Sequence, residues 1–432
     1  MIANLWRLSV IVAVLCGSVL ARLPGLLAAS LRRDVGRRNA IIGAAAAACA
    51  QRLGPVFIKI AQMASYRADL LPAAMLAPLS VLQDRVGPLA SGEARRAVEA
   101  SLGRSIGELF AAFDDNPLAS GSVAVVCAAT LHDGARVAVK IVRPGVGERI
   151  ARDLACFRWV VTLAERSRRV RGIPLLDTFD LIARMVAAQV DMTAEREQLT
   201  QLRALLSNRP GVSVPAAHAW PASREVLVME RIDDAQSWTE AALPLAVFRR
   251  AADRMLNALY TMVFAGKIIN CDLHPGNILV RADGSVTLLD AGLVARLEEH
   301  DRRCFRDFFL ALAAGNAVQC ARAIRNSASI VPPSLEPAAF QRDVDTLVSR
   351  YHGLRAGEFL VAQFVHEVFA LQRRHGLFGA PGFAAAIWAL VMFEGLVRDR
   401  YPELDFQSAA RPFLVMAMLD GPNTDRRRAS MS

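Results

Sequence analysis

CDLHPGNILVRADGSVTLLDAG, residues 271–292, is the stretch on which the fold turns. Asp272 and Asn277 stand five residues apart, with Pro275-Gly276 forcing a turn between them. The apolar run Ile278-Leu279-Val280 follows, then Ala282-Asp283-Gly284, then Val286-Thr287-Leu288-Leu289, which delivers Asp290. Two short apolar runs about an Asp-Gly turn predict a hairpin, and a hairpin brings Asn277 and Asp290 to the same end. Amide and carboxylate oxygens suit magnesium on nucleotide phosphates, and a nearby carboxylate can orient an attacking hydroxyl or water. Either aspartate alone reads as a turn cap or a strand end. The three at this spacing read as a magnesium-nucleotide site.

The surrounding chain of 432 residues is 53% hydrophobic and 21% charged, which excludes a disordered protein and leaves room for more than one domain. Its net charge of +10 is concentrated in arginine clusters at 32–38, 166–171 and 426–428 and points to an anionic partner. Membrane lipid fits better than nucleic acid: no zinc-finger or helix-turn-helix signature is present, and no aromatic residues interleave the basic runs. The seven cysteines show no CxxC spacing, as expected of a reducing compartment and no zinc site.

At the N-terminus, LSVIVAVLCGSVLA (8–21) is apolar, and the character resumes past Arg22 as LPGLLAA. As a helix the first run covers roughly 21 Å, short of a ~30 Å hydrocarbon core, whereas 8–29 would cross with tilt. Three readings compete: a single membrane anchor, an interfacial helix, or a cleaved signal peptide with Val19-Leu20-Ala21 before the cut. Anchor or interfacial helix is favoured, because the arginines at 32–38 hold the following chain on the cytoplasmic side.

Residues 40–112 read as helices punctuated at Pro55, Pro72 and Pro88. GSVAVVCAATLHDGARVAVKIVRP (121–144) predicts a hairpin turning at His132-Asp133-Gly134. Helices return over 150–206, broken near 172–174, and 212–220 with 225–232 read as a strand pair. Helix is predicted again over 245–263 and from 298 nearly to the end. The order is that of an α+β protein rather than a doubly wound sheet.

The opening stretch resembles the catalytic loop and metal-binding segment of the protein-kinase-like superfamily, D-x-x-x-x-N followed by D-F-G. D-x-H-P-G-N-I occurs both in the UbiB (AarF-domain) family of atypical kinases and in small-molecule phosphotransferases of aminoglycoside and choline type. Upstream, LGPVFIKIAQMASYRADLLP (53–72) is similar to the UbiB signature helix with its K-x-G-Q core, and it places Lys59, Gln62, Met63 and Tyr66 on one helix face. That decides for UbiB, as do LQDRV at 82–86, DGARVAVKIVRPGV at 133–146 and MFEGLVRDRYPEL at 392–404.

The resemblance, over roughly residues 45 to 405, implies a bilobal protein-kinase-like α+β fold. Residues 1–38 would be the membrane segment, 39–115 a helical extension carrying the K-x-G-Q-like motif, 116–232 the N-lobe and 233–432 the C-lobe with its helical end. Lys140 would hold the α and β phosphates of ATP or ADP, braced by Glu195; Glu197 stays open as an alternative. Ala119, Ser120, Gly121 and Ser122 would form the loop over the phosphates, and Met229, Glu230 and Ile232 the adenine hinge. Asn277 and Asp290 would hold Mg2+, with Asp272 as base or water-positioning group, and Lys59 and Gln62 would occlude the groove for a protein substrate. The family is associated with isoprenoid-quinone (ubiquinone) biosynthesis and with ATPase activity. Its implied partners are membrane lipids and quinone-pathway intermediates or enzymes at the cytoplasmic face of a bacterial inner membrane. A small-molecule or lipid phosphotransferase and a non-catalytic nucleotide- and lipid-binding scaffold stand as alternatives.

Several positions depart from the family pattern. Gly121 and Val125 replace an alanine and a glutamine in A-A-A-S-x-x-Q, Ala61 the glycine of K-x-G-Q, Gln189 an acidic residue, and Ala291 the phenylalanine of D-F-G. Asn270-Cys271 stands where His-Ala is common. Lys140, Asp272, Asn277 and Asp290 all remain, so nucleotide and magnesium binding are expected.

Overall fold

Alternation of buried side chains organises the first sheet. In a computed structural model of the chain, Val125, Cys127 and Ala129 share one face with Val137, Val139, Ile141, Val226 and Val228, and all are buried. Their neighbours in sequence, Lys140 among them, point to the other face. The structure describes residues 2–65, 72–80, 82, 89, 92–166, 175–238, 243–354 and 357–419. Tyr66, most of 82–86, the basic run 167–171, the break at 172–174 and the arginines 426–428 lie outside them.

The chain opens with the helices α1 (Ile2–Leu31), α2 (Val35–Leu53), α3 (Pro55–Ser65), α4 (Ala73–Ser80), α5 (Glu93–Leu102) and α6 (Ile106–Leu109). Strands β1 (Ala112–Ser120), β2 (Ala124–Thr130) and β3 (Arg136–Val142) follow, then α7 (Val146–Glu165), α8 (Leu175–Ala188) and α9 (Met192–Leu206). Next come β4 (Val212–Ser213), β5 (Val226–Glu230), β6 (Gln236–Ser237) and α10 (Leu245–Tyr260), which runs into a π-helical turn, Thr261–Ala265. Short strands β7 (Ile268–Asn270), β8 (Ile278–Val280), β9 (Val286–Leu288) and β10 (Val294–Arg296) lead to α11 (Glu299–Ala313) and α12 (Ala317–Asn326). The remainder is β11 (Ala328–Ile330), α13 (Pro337–Tyr351), α14 (Val361–Arg374), β12 (Phe378–Gly379), α15 (Pro381–Val397) and α16 (Phe406–Leu419). The α+β class read from the sequence is the one observed.

The elements form two compact units, one of Met1–Thr200 with Pro215–Asp233, the other of Gln201–Val214 with Asp234–Ser432. In the first, β1-β2-β3-β5 make an antiparallel sheet. Ala94 and Val98 of α5 and Ile106, Leu109 and Phe110 pack on its Val139 face. In the second, β4-β9-β8-β6 form one small sheet, and the pairs β7/β10 and β11/β12 two more. Aromatic side chains of α11, α14 and α15 interlock there, with Phe305 against Phe383 and Phe308 against Phe364.

Two expectations need correction. The segment before the first hairpin is a strand, β1, hidden because its pairing shifts register around Pro117 and its side chains are mostly exposed, as suits an edge. The strand pair over 212–232 does not form either. Val212-Ser213 pairs in parallel with β9 of the second unit, and Ala217 touches Met229 through a single bridge. Pro215 interrupts the run just after Val214, which separates the two pairings.

Candidate functional site

In the first unit the β2–β3 turn is closed by Leu131 N–H donating to Ala135 O at 2.9 Å, with Gly134 at φ +87. That turn sets the register in which Lys140 faces Val126 on one side and Leu227 on the other. Ala138 faces Met229 in the same pairing, so Met229 and Lys140 share a sheet face with two small residues, Ala128 and Ala138, between strands. Lys140 Nζ donates to Glu195 Oε1 at 2.6 Å, with only 12% of the lysine side chain and 1% of the glutamate exposed. Glu197 is exposed, so geometry selects Glu195.

Glu195 lies in the first turn of α9, whose start is fixed by Asp191. Its carboxylate accepts from Thr193 N–H at 3.0 Å and Ala194 N–H at 3.2 Å, and it pairs with Arg224 at 2.8 Å. Asp191 thus serves as a helix cap, while Gln189 is buried beside it.

The predicted phosphate loop ends β1. Gly121 N–H donates to Ala124 O at 2.9 Å, and a Cβ at Gly121 would sit 3.3 Å from that oxygen. Arg143, missed in the sequence reading, pins the loop: its Nε donates to Gly121 O and its Nη2 to Ser120 Oγ, both at 2.8 Å, while its own N–H reaches Val123 O. Lys59 lines a cleft with Ser122, Val123 and Arg149, whereas Gln62 donates to Leu82 O at 2.7 Å. The face shared by Lys59 and Gln62 therefore holds one residue beside the loop and turns the other to α4's far end. Glu230 N–H is donated to Ala216 O at 2.8 Å, so an adenine contact through Glu230 would use its carbonyl; Ile232 is half-buried just beyond β5.

Asp272, Asn277 and Asp290 belong to the second unit. Pairing of Ile278 with Leu288, and the 2.9 Å bond from Leu289 N–H to Asn277 O, put Asn277 and Asp290 at one end of the hairpin. The hairpin's other end is a turn at Gly284, φ +81, where a Cβ would lie 3.0 Å from Arg250 and 3.1 Å from Val247 O. His274 stiffens the intervening loop, its Nδ1 accepting from Gly276 N–H at 3.1 Å. Asn277 Nδ2 donates to Asp272 O at 3.2 Å, and Gly292 N–H donates to Asp290 Oδ1 at 2.5 Å.

Asn270 joins these segments. Its Oδ1 accepts from Asp272 N–H at 2.9 Å and its Nδ2 donates to Asp290 O at 2.6 Å, with the residue 1% exposed. The sequence flagged Asn270 only as a departure from the family; its position two residues before the aspartate was the available signal. Cys271 beside it is buried, which pushes its thiol up to about 12 and leaves it no nucleophile. Among the described residues no group of three or more His, Cys, Asp or Glu side chains could hold a metal. An amide and a carboxylate at one hairpin end fit the magnesium pattern instead, in which one or two protein oxygens are completed by phosphates and water.

The sequence profile of the ABC1 atypical kinase-like domain matches residues 81–324. A protein of Marinobacter nauticus named "Probable protein kinase UbiB" is 33% identical over 378 residues, covering 84% of this chain and 68% of that protein. One of the same name from Azotobacter vinelandii is 33% identical over 372 residues, covering 84% and 69%. Among solved structures, a Mycobacterium tuberculosis protein in complex with erythromycin is similar at a TM-score of 0.48 and 19% identity, covering 79% of this chain and 87% of that one.

Proposed function

The chain belongs to the ABC1 atypical kinase-like family, and from that membership we propose that it binds ATP or ADP with magnesium and acts as a membrane-associated ATPase supporting isoprenoid-quinone (ubiquinone) biosynthesis. The observation that carries the reading is the buried Lys140–Glu195 ion pair. Removing both charges from water is costly, and a desolvated lysine held at 2.6 Å by a glutamate is aimed and kept protonated, as a phosphate ligand must be.

Lys140 would hold the α and β phosphates, and the loop 119–122, stiffened by Arg143, would cover them with backbone N–H groups. Met229 and Ala138, on the face of Lys140, would line the adenine pocket. Asn277 and Asp290 would hold magnesium, which when bound neutralises charge on the phosphates. Asp272, its N–H fixed by Asn270, would orient the attacking water or hydroxyl. The bacterial relatives, and α1, whose Trp6–Leu31 stretch is long and apolar enough to cross a bilayer, support a membrane setting, with lipids and quinone-pathway components as partners.

A second reading, transfer to a small molecule or lipid, is favoured by the short path from Asp290 to Glu299, where α11 begins after the brief β10. That path leaves no room for a protein-kinase activation segment. Incubation of the purified protein with γ-labelled ATP and membrane extract separates the two: free phosphate without a labelled acceptor supports the ATPase, a labelled lipid or metabolite the transferase. The quinone role is tested in a deletion strain carrying wild type or Asp290→Asn. Full quinone content with the variant would overturn a catalytic role in the pathway.

A further inference from the structure

The two cations of α1 face inward. Arg7 forms a bidentate pair with Asp153 of α7, at 2.6 and 2.8 Å, and its Nη2 also donates to Leu53 O at 2.8 Å. Arg22 donates to Ala44 O of α2 and to Ser18 O, both at 3.3 Å. Ile11, Ser18 and Ala29 are buried on the same side, and Gly25 lies against Ile41. At 3.6 residues per turn, Val12, Val19, Leu20, Leu23, Leu27 and Leu31 fall in an arc of about 120° on the opposite side. All six are exposed, Leu20 by 65% and Leu31 by 86%. A water-facing helix does the reverse, with charges out and leucines in.

An apolar face this long, about 39 Å at 1.5 Å per residue, calls for a cover. Arg32, Arg33, Arg37 and Arg38 are exposed at the corner between α1 and α2, and α1 itself holds no acidic residue. Asp34, the acid at that corner, is engaged as the cap of α2, accepting from Arg37 N–H at 2.8 Å. Anionic headgroups supply the missing counter-charge and acyl chains the apolar partner.

Crossing the bilayer is incompatible with these contacts. Both ends of α1 are held by its own unit, near Arg7 by Asp153, which is 2% exposed, and near Arg22 and Gly25 by α2. A spanning α1 would draw α7 with it and place the exposed Arg149 and Arg152 in hydrocarbon.

We propose that α1 is an in-plane anchor, its outward face seated in the headgroup–acyl boundary of an anionic leaflet and its inward face carrying the unit. The inference rests on the membrane association proposed above and sets its geometry. Cys16 lies at the centre of the outward arc and is exposed, whereas the other six cysteines are buried, so the full-length native chain accepts a nitroxide at one place. On vesicles containing one-third phosphatidylglycerol by design, power saturation should place that label about 5–10 Å deep. Leu20→Glu and Leu27→Glu, on the outward face, should each cut vesicle co-sedimentation at least tenfold while keeping the wild-type melting temperature.

A label near the bilayer centre, ~15 Å deep in a ~30 Å core, would overturn the in-plane geometry and leave membrane association standing. Absence of vesicle binding would overturn both, without touching the nucleotide site. A label shielded in a concentration-dependent dimer, without lipid, would assign the face to a second copy and equally sink the proposal.

Discussion

Asn270 donates from its side chain to the backbone oxygen of Asp290 at 2.6 Å, tying the strand before the catalytic-type loop to the segment that carries the candidate metal ligand. Its carboxamide oxygen simultaneously holds Asp272 N–H. Asn270→Ala leaves two inward-facing backbone groups without this partner, at about 1–3 kcal/mol each. Magnesium-dependent nucleotide affinity, measured by titration calorimetry, should fall at least tenfold. Asn270→Asp, which keeps the acceptor and loses the donor, should fall between; equal affinities in all three proteins would remove Asn270 from the site.

Asp272→Asn and Asp290→Asn should separate turnover from binding. With Asp290→Asn, magnesium should no longer raise nucleotide affinity. With Asp272→Asn, binding should persist while phosphate release drops roughly 10²-fold or more, the range of a lost proton-accepting group. Unchanged phosphate release in Asp272→Asn would transfer that role to another residue.

Lys140→Met should strand the buried Glu195 carboxylate and cost about 3–5 kcal/mol in urea unfolding. Lys140→Met with Glu195→Gln removes both charges and should recover much of that loss. A double variant no more stable than the single would show that Glu195 has a sufficient second source of neutralisation.

Burial pushes the Asp301 carboxyl, in the first turn of α11, above the ordinary carboxylate range. Its folded-state value exceeds the unfolded one, so its protonated form favours the fold. That contribution is complete below about pH 4 and is lost as pH rises through the raised value. Asp301→Asn should therefore flatten the fall in urea midpoint between acid and neutral pH, by on the order of 1 kcal/mol. An identical slope in the variant would mean that another group sets it.

The hairpins were legible because period-two apolar runs about Asp-Gly turns are local signals, and 136–142 and 286–288 appear where that pattern placed them. The Lys140–Glu195 contact spans 55 residues, and only resemblance picked Glu195 over Glu197; burial of one and exposure of the other settled which pairs. Arg143 and Asn270 escaped notice because their partners are mostly main-chain groups, which leave no trace in side-chain chemistry. β1 was hidden by Asp114, Asp115 and Pro117, residues an exposed edge tolerates and a pattern search rejects. The N-terminal segment was recognised as apolar, but the inward turn of Arg7 and Arg22 depends on Asp153, which is 146 residues from Arg7.

The pairing of β4 with β9 has a genetic consequence. The chain passes from one unit to the other after Thr200, returns after Val214 and leaves again after Asp233. Neither unit corresponds to one uninterrupted piece of gene. A fragment ending at Asp233 carries β4 away from its sheet partner, and one beginning at Asp234 starts with β9 stripped of its neighbour. Recombination that exchanges one unit between relatives must cut in three places at once, so the two are inherited together.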